Sequence, residues 1–118
     1  MRACLRLTAC LLCLTWATAA HAWEIARFDV TVAIAPDSTA DVTETIVASF
    51  DEPRHGIYRD IPIHYTDRTG QHFRLRLRVL SLLDDQGHPW PYRLETTGRY
   101  QRIRIADTSR VVDGQQVY

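Results

Sequence analysis

From Trp23 onward the apolar residues of this chain recur at every second position, and no segment carries the three-to-four spacing of a helix face. A strand points successive side chains to opposite sides of a sheet, so this period is the signature of half-buried β-structure. Phe28, Val30, Val32 and Ile34 alternate with Asp29, Thr31 and Ala33, and Ala35-Pro36-Asp37-Ser38-Thr39 then turns the chain. The next run, Ala40 to Phe50, places Val42, Glu44, Ile46, Ala48 and Phe50 on one face, with Thr43 and Thr45 on the other. Two alternating runs joined by a short Pro-Asp turn predict a β-hairpin. A short extended segment follows at 61–65, ended by Asp67-Arg68-Thr69-Gly70.

The sharpest alternation spans His72 to Leu83, with Phe73, Leu75, Leu77 and Val79 opposite Arg74, Arg76 and Arg78. Asp84-Asp85-Gln86-Gly87-His88 turns the chain into a strand predicted from Pro89 to Thr97, whose prolines suit an edge or a strand start. Tyr100 to Ala106 repeats the pattern, Ile103 and Ile105 opposing Arg102 and Arg104, and Asp107-Thr108-Ser109-Arg110 turns before Val111. Strands at this spacing, separated by turn residues, predict an all-β fold: an antiparallel β-sandwich, immunoglobulin-like in general architecture. Gln115-Gln116-Val117-Tyr118 begins another apolar strand. The expectation is a domain incomplete at its C-terminal end; the alternative is a terminus paired at a sheet edge.

The first 22 residues differ. Arg2 and Arg6 precede the apolar run Leu7 to Ala20, and Ala20-His21-Ala22 is a small-x-small site, the pattern of a secretory signal peptide at 1–22. At 14 residues the run is shorter than a comfortable membrane span. An uncleaved anchor is the alternative. Cleavage after Ala22 leaves residues 23–118 as the domain and removes Cys4, Cys10 and Cys13, all the cysteines of the chain. What remains can hold no disulfide and no thiolate nucleophile. All 14 basic residues of the full chain are Arg, balanced by 14 acidic residues. That balance argues against a nucleic-acid partner.

Glu44 falls on an otherwise apolar strand face, and a carboxylate there needs a partner, because burying it alone is expensive. Arg59 is the natural candidate, since an Arg–carboxylate fork fixes geometry as well as charge. In that reading Arg59 clamps its loop to the hairpin, Tyr58 and Ile61 pack into the core, and Gly56 permits a tight bend. The competing reading makes His55, Tyr58, Arg59 and Asp60 an exposed binding cluster. A catalytic His–Asp pair lacks an accompanying nucleophile. His55, His64, His72 and His88 show no zinc-ligand spacing, and neither a metal nor a cofactor is expected. The Arg rows 74/76/78 and 102/104 predict either a basic stripe, facing anionic headgroups, wall polymers or a partner, or a solvated face.

His55-Gly56-Ile57-Tyr58-Arg59-Asp60-Ile61-Pro62, with Asp41-Val42-Thr43-Glu44-Thr45-Ile46 upstream, resembles the DUF2207 family of predicted bacterial and archaeal membrane proteins. Gly87-His88-Pro89-Trp90-Pro91-Tyr92 looks like a later element of that family, as do Ile103-Arg104-Ile105-Ala106-Asp107 and Gly114 to Tyr118. The resemblance covers residues 25–118. It implies an extracytoplasmic N-terminal β-domain, periplasmic or at the cell surface, which in full-length members precedes transmembrane helices. The expected function is a non-enzymatic binding or interaction module for an unknown protein or cell-envelope partner. The alternative is a cell-envelope hydrolase using His55, Arg59 and Asp60.

Overall fold

The computed structural model describes residues 23–106 and 108–118, so the signal peptide expected at 1–22 lies outside the described residues. Eight strands follow in chain order: β1 (Glu24–Ile34), β2 (Ala40–Arg54), β3 (Gly56–Pro62), β4 (His64–Thr66), β5 (His72–Arg74), β6 (Tyr92–Thr97), β7 (Tyr100–Ala106) and β8 (Val112–Val117). They form two three-stranded sheets, β1-β2-β8 and β3-β7-β6, and the small pair β4-β5. Every pairing is antiparallel, and the described residues contain no helix.

The turns are built by aspartates that bond to the backbone beyond them, the local chemistry that makes Asp a turn residue. Asp37 Oδ1 accepts from the Thr39 amide at 3.0 Å and the Thr39 hydroxyl at 2.7 Å. Asp67 Oδ1 accepts from the amides of Thr69 and Gln71, at 2.8 and 2.9 Å. Asp84 Oδ1 accepts from those of Gln86 and His88, also at 2.9 and 2.8 Å. These bonds favour the ionised carboxylate, and the carboxyls of Asp37, Asp67 and Asp84 are all held below the ordinary Asp value.

Both three-stranded sheets contribute to one hydrophobic core. Ile46, Ala48 and Phe50 of β2 and Val112 of β8 meet Ile57 of β3 and Ile103 and Ile105 of β7. Trp90, just before β6, joins them, its ring stacked on Tyr118 with centroids 4.9 Å apart and its indole N–H donating to the Val117 carbonyl at 3.0 Å. Burial pushes the Tyr118 phenol up to about 12, and its hydroxyl has no hydrogen-bond partner.

Three sequence expectations are corrected here. The strand predicted from His72 to Leu83 is a strand only at His72–Arg74. Its ladder on β4 stops where the amides of Ile63 and His64 both donate to the Arg99 carbonyl instead. Past Leu75, whose amide reaches the Ile63 carbonyl, the run's backbone pairing among the described residues is limited to its far end, where Leu83 bridges Pro89 and the Leu82 carbonyl accepts from the Trp90 amide. Alternation alone does not hold an extended chain in a sheet. The strand expected from Pro89 begins only at Tyr92, since Pro89 and Pro91 lack the amide protons a ladder requires. Tyr58, expected in the core, is 58% exposed. Residues 58 and 61 differ by an odd number, so a strand cannot aim both at one face; Ile61 takes the core side, and Tyr58 faces out.

Candidate functional site

The segment His55–Pro62 forms the bend after β2 and the whole of β3, and its side chains separate by strand parity. Ile57, Arg59 and Ile61 lie on the core side of the β3-β7-β6 sheet, in register with Ile105, Ile103 and Gln101 of β7. Tyr58 and Asp60 lie on the opposite side, in register with Arg104 and Arg102. Gly56 makes the entry possible. Its φ is +146°, and a Cβ there would sit 1.9 Å from the Ile105 carbonyl oxygen. Only a residue without a side chain lets β3 begin this close to β7.

On the core side, Arg59 reaches across to the other sheet. Its Nε donates to Glu44 Oε2 at 2.7 Å and its NH2 group to Glu44 Oε1 at 2.6 Å, a forked pair. Both side chains are mostly covered, at 29% and 20% exposure. The third guanidinium nitrogen donates to the Asp60 carbonyl at 2.6 Å, and the guanidinium lies 5.6 Å from the centroid of the Phe28 ring. The Glu44 hydrogen bonds raise the Arg59 pKa above its ordinary value, against the opposing pull of burial. Sheet β1-β2-β8 and sheet β3-β7-β6 are thus tied by an ion pair at the margin of the core. Because the partners are neither fully dry nor free in water, removing either one costs about 2 kcal/mol through the charge it leaves uncompensated.

On the other side, Asp60 accepts two bonds from Arg102, both at 2.7 Å. Those bonds, first among the causes, hold the Asp60 carboxyl below its ordinary value. Tyr58 lies beside them, its ring centroid 5.0 Å from the Arg102 guanidinium and 5.8 Å from that of Arg104. His55, at the bend, has its Nδ1 3.2 Å from the Arg110 carbonyl, which can only accept, so this nitrogen is the donor.

The four residues expected to act together therefore do not converge. Tyr58 and Asp60 share one sheet face, Arg59 is committed to Glu44 on the opposite face, and His55 is bonded to the loop before β8. Arg102 was legible only as a member of an Arg row; its pairing with Asp60 depends on the β3–β7 register, which the sequence does not specify. Arg76 and Arg78 lie outside any strand, so the 74/76/78 stripe has no sheet to carry it.

Elsewhere, Pro62, Tyr65, Phe73, His64, His72 and Arg99 line an open cavity of about 480 Å³ beside β4 and β5. Among the described residues, no three His, Cys, Asp or Glu side chains cluster in a way that could hold a metal ion. No helix among them is long and apolar enough to cross a membrane.

Comparison with curated proteins and with solved structures gives no match. Comparison with protein families matches residues 24–118 to the family described as "Predicted membrane protein (DUF2207) N-terminal domain". The match takes in both three-stranded sheets, the Arg59–Glu44 tie and the Tyr58 face, and the chain belongs to the DUF2207 family of predicted membrane proteins, through its N-terminal domain.

Proposed function

We propose that this domain is a non-enzymatic, extracytoplasmic binding module of a membrane protein, exported by the segment 1–22, with its two three-stranded sheets packed as a sandwich. The observation that carries the reading is the fate of the polar residues in the His55–Pro62 segment. Arg59 is spent on Glu44, Asp60 on Arg102 and His55 on a backbone carbonyl, whereas Tyr58 is displayed on a sheet face between two guanidinium groups. A hydrolase would need acid–base groups converging on one point. A rigid sheet presenting an aromatic ring among Arg side chains has the composition of recognition surfaces instead. The core shared by the two sheets supports the sandwich reading.

The test compares the full chain with its Tyr58→Ala and His55→Ala/Asp60→Ala variants for retention on washed cell envelopes and for hydrolysis of envelope glycans and peptides. Lower retention of a variant that keeps its fold, without turnover by the wild type, is the expected result. Saturable hydrolysis lost in His55→Ala/Asp60→Ala would sink the binding reading and establish the hydrolase. Recovery of the chain from the cytoplasm, with residues 1–22 intact, would overturn export.

A further inference from the structure

The core-distal face of the β3-β7-β6 sheet is arranged in cross-strand rows of three. Asp60, Arg102 and Glu95 make one row, and Tyr58, Arg104 and Arg93 make the next. The two rows differ in charge. Arg102 is neutralised by Asp60 and also feels Glu95. Arg93 and Arg104 stand directly opposite each other, and neither has a carboxylate within 4.0 Å among the described residues. Like charges in a cross-strand pair repel, and among the described residues the Tyr58 ring lies against one of them. Directly opposed residues on a sheet hold their Cβ atoms about 5 Å apart, so the pair concentrates two positive charges at one end of this face. Arg donates readily to phosphate oxygens, so two of them at one end of a face favour a phosphate-bearing partner.

We infer that the Tyr58–Arg104–Arg93 row binds the phosphate groups of an anionic phospholipid surface. The inference rests on the binding-module reading. Two cations with no carboxylate within 4.0 Å among the described residues give the charge complementarity. The exposed Tyr58 supplies the amphipathic ring that settles at headgroup depth, apolar below and hydroxyl-bearing above. The domain belongs to a family of predicted membrane proteins, which makes a lipid surface the nearest source of phosphodiester. Asp60 and Glu95 limit the attraction by standing one row away, so contact is expected at the Arg93–Arg104 end of the face rather than across all of it.

Flotation of the full chain with vesicles of phosphatidylglycerol and phosphatidylcholine, against vesicles of phosphatidylcholine alone, tests this. The wild type should float preferentially with the anionic vesicles, and raised salt should weaken it. Arg93→Gln/Arg104→Gln should lower partitioning by about 25-fold, at about fivefold for each cation near an anionic surface. The control Arg76→Gln/Arg78→Gln removes the same charge from exposed residues outside the row, and should leave flotation within about twofold of wild type. Equal losses in the two double variants would mean that net charge, not the row, attracts the vesicles, and would overturn the inference. Calorimetric binding of inorganic phosphate that depends on Arg93 and Arg104, without flotation, would assign the row to a soluble phosphate-bearing ligand and overturn the lipid source. Envelope retention that needs Tyr58 but not anionic lipid would defeat this inference and leave the binding-module reading standing.

Discussion

Strands β1 and β7 carry the same alternation and meet opposite fates. Ile103 and Ile105 of β7 are 7% and 3% exposed, whereas Val30 and Val32 of β1 are 48% and 54% exposed. β7 is the central strand of its sheet, hydrogen-bonded on both edges, and its inward residues belong to the core shared with the other sheet. β1 is an edge strand paired only with β2, and none of its residues is buried. Even within β2 the change is visible. Ile46, Ala48 and Phe50 are buried where β8 and the second sheet reach them, but Val42, on the same face, is 55% exposed. Periodicity decides which side chains share a face. Whether that face is covered depends on what else the chain brings to it.

The contrast can be broken most severely at Gly56, where β3 joins the protected strand β7. Gly56→Ala should destabilise the domain by more than about 3 kcal/mol, because the added carbon meets the Ile105 backbone at a positive φ. Chemical denaturation of wild type and variant reads this directly. Next, Ile105→Ala should cost about 3 kcal/mol in the same measurement, the range for truncating a buried Ile and leaving a cavity. The two sheets should separate more easily in Arg59→Ala or Glu44→Ala, each losing about 2 kcal/mol. In a double-mutant cycle their combined loss should be well short of additive, because the forked ion pair is already lost after the first truncation. Additive losses would show that the pair is not coupled.

A smaller effect is expected from acid. The folded Asp60 carboxyl is held below its ordinary value of 3.8, first by its Arg102 hydrogen bonds. Its contribution is therefore fully present above that value and is lost as pH falls through the lower, folded one. Asp37, Asp67 and Asp84 act with the same sign. The thermal midpoint should fall with pH below about 4, and Asp60→Asn should make that decline shallower. The smallest effect belongs to β1. Val32→Thr keeps the branched shape, and on an uncovered face it should shift stability by about 0.5 kcal/mol or less. A loss approaching that of Ile105→Ala would mean that something covers β1 in solution.

Much of the candidate site was legible in the sequence because it follows from parity. Glu44 interrupts an apolar face and Arg59 stands in a distinctive segment. The need of a covered carboxylate for a forked donor joins them without any knowledge of the fold. Tyr58 was misplaced by the same reasoning applied loosely, since a residue between two core-facing neighbours must face away. The Asp60–Arg102 bond and the Arg93–Arg104 pair were not legible. They join residues of β3, β7 and β6, and which residues stand opposite one another is set by strand register.

The sequence alone determined the all-β character, the hairpin of β1 and β2, the positions of the Asp turns and the family, because these rest on local periodicity, side chain-to-backbone bonds and a distinctive short segment. Tertiary structure decided the rest. It ended the alternating run of 72–83 after Arg74, left the apolar face of β1 uncovered, and set the rows on the β3-β7-β6 sheet. The physical reason is common to all three: a strand is completed by its neighbours, through hydrogen bonds along its edges and apolar contact across its face, and neither is written in the strand itself.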